Sequence, residues 1–109
     1  MAFNLCIQRA SISIDDKFVR TLFELAFNDI PIHEVFIHQR TDPYSKEKYI
    51  MIFIYFKHSN QALDNFREII WAQGFAQLSF GESPDGFDII TDPLFDKSGV
   101  STHNWIISE

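Results

Sequence analysis

The sequence predicts an α+β fold in which two helices cover one face of an antiparallel β-sheet. In two segments, residues 15–28 and 60–74, apolar residues recur at spacings of three and four, which is the period of an amphipathic helix. The segments around them alternate apolar with polar residues or are apolar throughout, as strands do. With 109 residues and an apolar fraction of 46%, the chain is expected to form one compact domain.

The first strand and the first helix are predicted from the opening of the chain. In "FNLCIQRA", Leu5 and Ile7 alternate with less apolar neighbours, as in a strand with one buried face. Asp15 is a favourable helix N-cap, and the helix is expected to end near Asn28, ahead of Pro31. The buried stripe of this helix is predicted to be Val19, Leu22, Phe23 and Ala26.

Two further strands and a second helix follow. "IHEVFIHQ" predicts the second strand, with Val35 and Ile37 directed toward the core. "KYIMIFIYF", from Lys48 to Phe56, predicts the third strand. "NQALDNFREIIWAQG" predicts the second helix, which Gly74 should terminate. The buried stripe of this helix is predicted to be Ala62, Phe66, Ile69 and Ile70.

Two short strand candidates lie beyond Gly74, namely "FAQLSF" and "FDIIT", on either side of the turn "GESPDG". Either one is a candidate for the fourth strand of the sheet, and the two together are candidates for a hairpin. Residues 1–91 are therefore predicted to form the folded domain, and residues 92–109 an acidic C-terminal tail. Trp105 and the two residues after it are candidates to fold back over the sheet.

The order of elements is β-α-β-β-α-β, which is typical of the ferredoxin-like fold. Four strands then form an antiparallel sheet with the first and third in the centre, and both helices cover one face. The third strand is apolar at eight consecutive positions, so both of its faces are suited to burial. The positions assigned to the helix side are Ile50, Ile52, Ile54 and Phe56. The opposite face is expected to be open and to present a partner-binding surface made of Cys6, Gln8, Phe36, His38, Tyr49, Met51, Phe53 and Tyr55.

This arrangement resembles the RNA-recognition motif (RRM), whose first and third strands carry aromatic residues on which bases stack. Phe53 occupies one expected stacking position, and Met51 and Cys6 occupy the two others. A closer similarity is to small RRM-like proteins of large nucleocytoplasmic DNA viruses. It rests on "LCIQR", "LF", "MIFIYF" and "TDPLFDK", which stand at Leu5–Arg9, Leu22–Phe23, Met51–Phe56 and Thr91–Lys97. The resemblance implies an RRM-like fold and a viral origin, in host cytoplasm, virus factory or virion, and it implies no particular reaction.

The charge distribution favours a protein partner over nucleic acid. The net charge is −6, and residues 81–109 carry one lysine against six acids. Nucleic-acid binders usually present a basic surface, because neutralising phosphates supplies much of their affinity. The first hypothesis is therefore a protein-interaction or viral-assembly module, with a protein partner or a second copy on the open face. The alternative is weak binding of single-stranded RNA or DNA by Phe53 and its neighbours, with phosphate-contact candidates Arg9, Arg40, Lys46 and Lys48.

No motif for catalysis, metal or cofactor binding stands out, so the chain is not expected to be an enzyme. His33 and His38 are five residues apart on one strand and so point to opposite faces. Cys6 and His38 share a face, but no third group marks a nucleophilic site. The single cysteine predicts an intracellular location, and no apolar run is long enough to span a membrane.

Overall fold

A computed structural model of the chain describes residues 2–83, 86–90 and 101–109. Within these residues the chain forms two helices and six strands. In chain order they are β1 (Phe3–Ala10), α1 (Asp16–Ala26), β2 (Glu34–Thr41), β3 (Lys48–Phe56), α2 (Gln61–Gln73), β4 (Ala76–Ser83), β5 (Gly86–Ile89) and β6 (Ser101–Ser108).

The strands form one antiparallel, open sheet in the order β2-β3-β1-β6-β4-β5. The predicted α+β class is confirmed, and the architecture is compatible with a ferredoxin-like fold. The predicted number of four strands is wrong, because the described chain contributes six. No helix of the described residues is long and apolar enough to cross a membrane.

The neighbour of β1 on the side away from β3 is β6, which pairs through Cys6 with Ser108 and through Ile7 with Ile107. The prediction that one of the two segments after Gly74 completes the sheet beside β1 is therefore wrong. Those segments do pair with each other as a β4–β5 hairpin, and β4 pairs with the outer side of β6. β6 takes the position beside β1 because its alternate residues are apolar and are buried on the helix side of the sheet.

The C-terminal residues 101–108 are thus an internal strand and not a tail. Trp105 and Ile107 are 2% and 0% exposed, in the core beneath the helices and not folded over the open face. The predicted boundary between residues 91 and 92 falls between two strands of one sheet. Residues 92–100 of the predicted tail lie outside the described residues.

The helices begin and end where the sequence places their caps. The Asp15 carboxylate accepts a hydrogen bond from the Phe18 N–H at 2.8 Å. Gly74 ends α2 in the left-handed conformation, with φ of 90°, which a residue without a Cβ adopts at little cost. The Asn60 side chain caps α2 and also donates to the Phe27 carbonyl at 2.6 Å, so the start of α2 is tied to the end of α1.

The helices and one face of the sheet share a single hydrophobic core. The predicted stripe of α1 is confirmed, with Ala26 at its half-buried margin. The predicted stripe of α2 is wrong at Ile69, which is 48% exposed because the buried face of α2 is centred on Leu63 and Ile70. Ile37 is also misplaced: it is 38% exposed, since β2 is the outermost strand and the helices leave most of it uncovered.

Candidate binding face

The third strand separates its residues as the sequence predicts. Its four helix-side residues, Ile50, Ile52, Ile54 and Phe56, are at most 4% exposed. The intervening residues point to the opposite face of the sheet, which we call the front face. The structure brings the predicted residues together there: Cys6, Gln8, Phe36, His38, Tyr49, Met51, Phe53 and Tyr55.

Strand register explains this grouping. Directly opposed residues of antiparallel strands share a face. Phe53 lies opposite Phe36 on one side and opposite Cys6 on the other, and Met51 lies opposite His38. Phe36 is 47% exposed among the described residues, so the helices do not cover this face. We call its β2 and β3 part the aromatic half, consisting of Phe36, His38, Tyr49, Met51, Phe53 and Tyr55.

A shallow groove of about 410 Å³ lies within the aromatic half and is lined by Phe36, His38, Phe53 and Tyr55. The Phe36 and Tyr55 rings meet edge to face, with centroids 5.4 Å apart and an interplanar angle of 86°. His38 and Phe53 form a second such pair at 5.4 Å and 90°. Edge-to-face pairs hold rings in fixed orientations. The groove is therefore suited to receive an apolar or flat group.

Arg9, one of the phosphate-contact candidates, is already engaged by acids. A register shift between Ile7 and Ala10 brings its guanidinium to 4.3 Å from the Tyr49 ring centroid. The guanidinium forms ion pairs with Asp42 at 3.1 Å and with Glu47 at 3.6 Å. A phosphate at Arg9 would have to compete with two carboxylates. Arg9 therefore links β1 to the β2–β3 loop.

The other three basic candidates do not converge. Arg40 lies opposite Tyr49, beside the aromatic half, and makes no ion pair with another described residue. Lys48 lies opposite Thr41, one position along, so its side chain leaves from the other face of the sheet. Lys46 is in the loop between the strands, with φ of 64°. Of these three candidates, only Arg40 therefore extends the aromatic half with a positive charge.

Asp42 organises the β2–β3 loop. Its Oδ1 accepts hydrogen bonds from the Tyr44 N–H at 2.8 Å and the Ser45 N–H at 3.1 Å. The N–H groups of Ser45 and Tyr44, followed by the Arg9 guanidinium, lower the pKa of this carboxyl. These groups favour the charged form in the folded state.

The Asp42 carboxylate should therefore stabilise the fold at neutral pH and not in acid. The pKa of this carboxyl is lower in the folded state than in the unfolded state. Its contribution to the free energy of unfolding is therefore present above about pH 4, the usual pKa of Asp. It is lost as the pH falls through the depressed folded value. We expect Asp42→Asn to lower the free energy of unfolding at pH 7 and to lower it progressively less below pH 4. Urea unfolding of the wild type and the variant at pH 7 and below pH 4 measures this. A difference in the free energy of unfolding that does not change with pH would contradict it.

Cys6 behaves as a packed thiol on this face. Burial raises the pKa of the Cys6 thiol, which is the reverse of what activates a cysteine nucleophile. His38 is two strands away, with β3 between them, and its ring packs on Phe53. The structure therefore does not form the Cys6–His38 pair. Among the described residues no group of three or more His, Cys, Asp or Glu side chains is placed to hold a metal.

A polar half of the front face, on β4 and β6, was not predicted from the sequence. Its centre is Asn104, whose Oδ1 accepts hydrogen bonds from Ser79 Oγ at 2.6 Å and from Gln77 Nε2 at 3.1 Å. Gln8 joins the two halves by donating to Ser108 Oγ at 3.5 Å. The alternation of "AQLSF" is a sequence signal for Gln77 and Ser79, whereas "HNWII" does not alternate and gives no such signal for Asn104.

A second, polar cleft of about 360 Å³ opens where β1 and β6 separate beyond Ile7. Arg9 and Lys48 line it on one side, and Thr102 and Asn104 line it on the other. Glu47 also lines the cleft and is paired with Arg9, which leaves Lys48 as its unbalanced positive charge.

Comparisons with known proteins add no assignment. A scan against protein-family models, a search of curated proteins and a search of solved structures each find no match. The similarity to the RNA-recognition motif and to viral RRM-like proteins therefore stays a prediction. The candidate site rests on the geometry of the front face.

Proposed function

We propose that the chain is a non-enzymatic binding module that docks a protein partner on the aromatic half of its front face. The observation that carries this proposal is the groove between Phe36, His38, Phe53 and Tyr55, which is open, apolar and walled by rings. Interface cores are enriched in aromatic residues and depleted of charge. A contiguous exposed apolar surface of this kind usually marks a contact site.

The proposal includes a ferredoxin-like, RRM-like architecture and, by resemblance, a role in viral assembly. Support comes from the strand order β2-β3-β1-β6, in which α1 joins β1 to β2 and α2 precedes the hairpin that leads to β6. On this proposal β6 takes the place of the fourth strand. The β4–β5 hairpin is then an insertion between α2 and β6, and it extends the sheet at its outer side.

Affinity capture from the cells that produce the protein tests the proposed face. We expect a specific partner to be recovered with the wild type and to be lost with Phe53→Ala. Truncation of a hot-spot residue at the centre of an interface costs at least about 2 kcal/mol, or roughly 30-fold in affinity. Tyr44→Ala is the matched control, since Tyr44 is 94% exposed in the β2–β3 loop and away from the groove. Equal recovery with Phe53→Ala would contradict the proposal.

The second candidate function is binding of single-stranded RNA or DNA, and it is favoured by Arg40 beside the exposed rings. Bases stack on aromatic side chains while basic residues contact the phosphates. The engagement of Arg9 by Asp42 and Glu47 and the net charge of −6 weigh against it. Micromolar binding of labelled single strands that weakens with salt and is lost in Phe53→Ala would favour this second candidate.

A further inference from the structure

The strand β2 is a long, unprotected sheet edge. All eight of its residues pair in one continuous register with β3, and its other side has no neighbour among the described strands. Natural proteins usually protect such edges with proline, charged side chains such as lysine, bulges or short strands. β2 contains no proline or lysine, its register with β3 has no bulge, and its charged residues Glu34 and Arg40 leave residues 35–39 between them without a carboxylate, lysine or arginine. The opposite edge strand, β5, has only four residues.

The exposed apolar residues of β2 lie on both faces of this edge. Phe36 is 47% exposed on the front face, and Ile37 is 38% exposed on the helix side. Ile37 is the middle residue of the segment from Glu34 to Arg40. A strand added along this edge would cover both side chains and satisfy the free backbone groups.

The geometry of antiparallel pairing limits how two copies of β2 can meet. Two directly opposed residues point their backbone N–H and C=O groups either both toward each other or both away from each other. These two cases alternate along a strand. A twofold axis between two copies must therefore pass through a residue and not between two residues. The choices near the middle of β2 are Phe36, Ile37 and His38.

Charge distinguishes these three registers. With the axis at Ile37, Glu34 of each copy faces Arg40 of the other, and neither residue makes an ion pair with another described residue of its own chain. With the axis at His38, Glu34 would face Asp42, a like charge. With the axis at Phe36, Glu34 would face His38, and Arg40 would have no acidic partner.

We propose that β2 pairs antiparallel with β2 of a second copy about a twofold axis at Ile37, which joins two sheets into one. In this register the two Ile37 side chains meet on the helix side, and Phe36 of each copy faces His38 of the other on the front. The axis is perpendicular to the joined sheet, so both front faces lie on the same side. The two aromatic halves then form one continuous surface.

This dimer goes beyond the proposed function and does not depend on it. A pairing of one strand per copy is smaller than a standard protein interface, so the dimer is expected to be weak and concentration-dependent. It also removes the long edge from solvent, leaving the short β5 edges at the ends of the joined sheet.

Charge reversal tests the pairing and its register. Sedimentation equilibrium over a range of concentrations should show the wild type in a monomer–dimer equilibrium. Glu34→Arg and Arg40→Glu alone should each weaken the dimer at least about tenfold, because every dimer contains the pair twice and each change replaces attraction with repulsion. The combined variant Glu34→Arg/Arg40→Glu should restore the wild-type dissociation constant to within about threefold.

Ile106→Ala is the control, because Ile106 is on β6, which β3 and β1 separate from the β2 edge. It should leave the dimer unchanged. Partner capture with Phe53→Ala tests the proposed function separately, so failure of the proposed function and failure of the dimer are distinguishable. A wild type that remains monomeric at its highest soluble concentration would overturn the proposal. So would a dimer unaffected by the single reversals, or one that the combined variant fails to restore.

Discussion

Ile107→Ala is expected to lower the free energy of unfolding by about 2–5 kcal/mol, the usual cost of removing a large aliphatic side chain from a core. Ile107 is fully buried and lies opposite Ile7 of β1 and Ala76 of β4. The cost arises because β6 is an internal strand. A disordered or loosely attached tail would tolerate the same change with little loss.

The neighbouring residue provides a matched control. Ile106 points to the front face and is 37% exposed, so Ile106→Ala should cost less than about 1 kcal/mol. Urea unfolding followed by tryptophan fluorescence measures both variants. If Ile107→Ala does not fold, Ile107→Val should fold with a loss of about 0.5–1.5 kcal/mol. Similar small losses for Ile106→Ala and Ile107→Ala would contradict the placement of β6 in the core.

Phe53→Leu is expected to separate the two candidate functions. Leucine keeps an apolar side chain of similar size but removes the flat ring. A protein partner that uses the groove should bind this variant nearly as well as the wild type, while Phe53→Ala loses roughly 30-fold. Single-stranded nucleic acid should lose affinity in both variants, since base–aromatic stacking is worth about 1–3 kcal/mol per base.

Titrations of a captured partner and of labelled single strands measure these effects. Tyr44→Ala serves again as the control, and unfolding curves show whether each variant keeps its stability. Unchanged affinity of Phe53→Ala for every ligand that the wild type binds would show that the groove is not the binding site.

The open face was predictable because its signal is local. The lack of alternation in β3 indicates that both faces of the strand are apolar, and the two amphipathic helices can cover only one of them. The period of two therefore places Ile52 and Phe53 on opposite faces of the strand. The caps at Asp15 and Gly74 are local signals of the same kind.

The position of β6 was not predictable in the same way. Which strand lies beside β1 depends on pairing across about a hundred residues, and no local pattern specifies it. Trp105 and Ile107 alternate with Ile106 over only three positions. Pro93, Gly99 and the acidic residues before them resemble a tail. The polar half of the front face was missed for the same reason, since β6 supplies Asn104.

The partners of two arginines also depend on distant contacts. Arg9 pairs with Asp42, which is 33 positions away in the sequence. Arg67 is buried in α2, where its guanidinium lies 3.7 Å from the Phe3 ring centroid and donates to Glu109 at 2.9 Å. Trp71 donates to the same carboxylate at 2.7 Å. Each of these contacts involves a charged side chain that, from the sequence alone, would be expected to lie in solvent.

Hydroxyl-radical footprinting of β3, read residue by residue by mass spectrometry, tests most directly whether one side of this strand is buried and the other is open for binding. We predict that Met51, Phe53 and Tyr55 are oxidised readily in the free protein, and that Ile52, Ile54 and Phe56 are protected until it unfolds. Bound partner should protect the first set. If Phe53 and Tyr55 are as protected as Phe56 in the free monomer, the front face is already covered and the proposed binding surface does not exist.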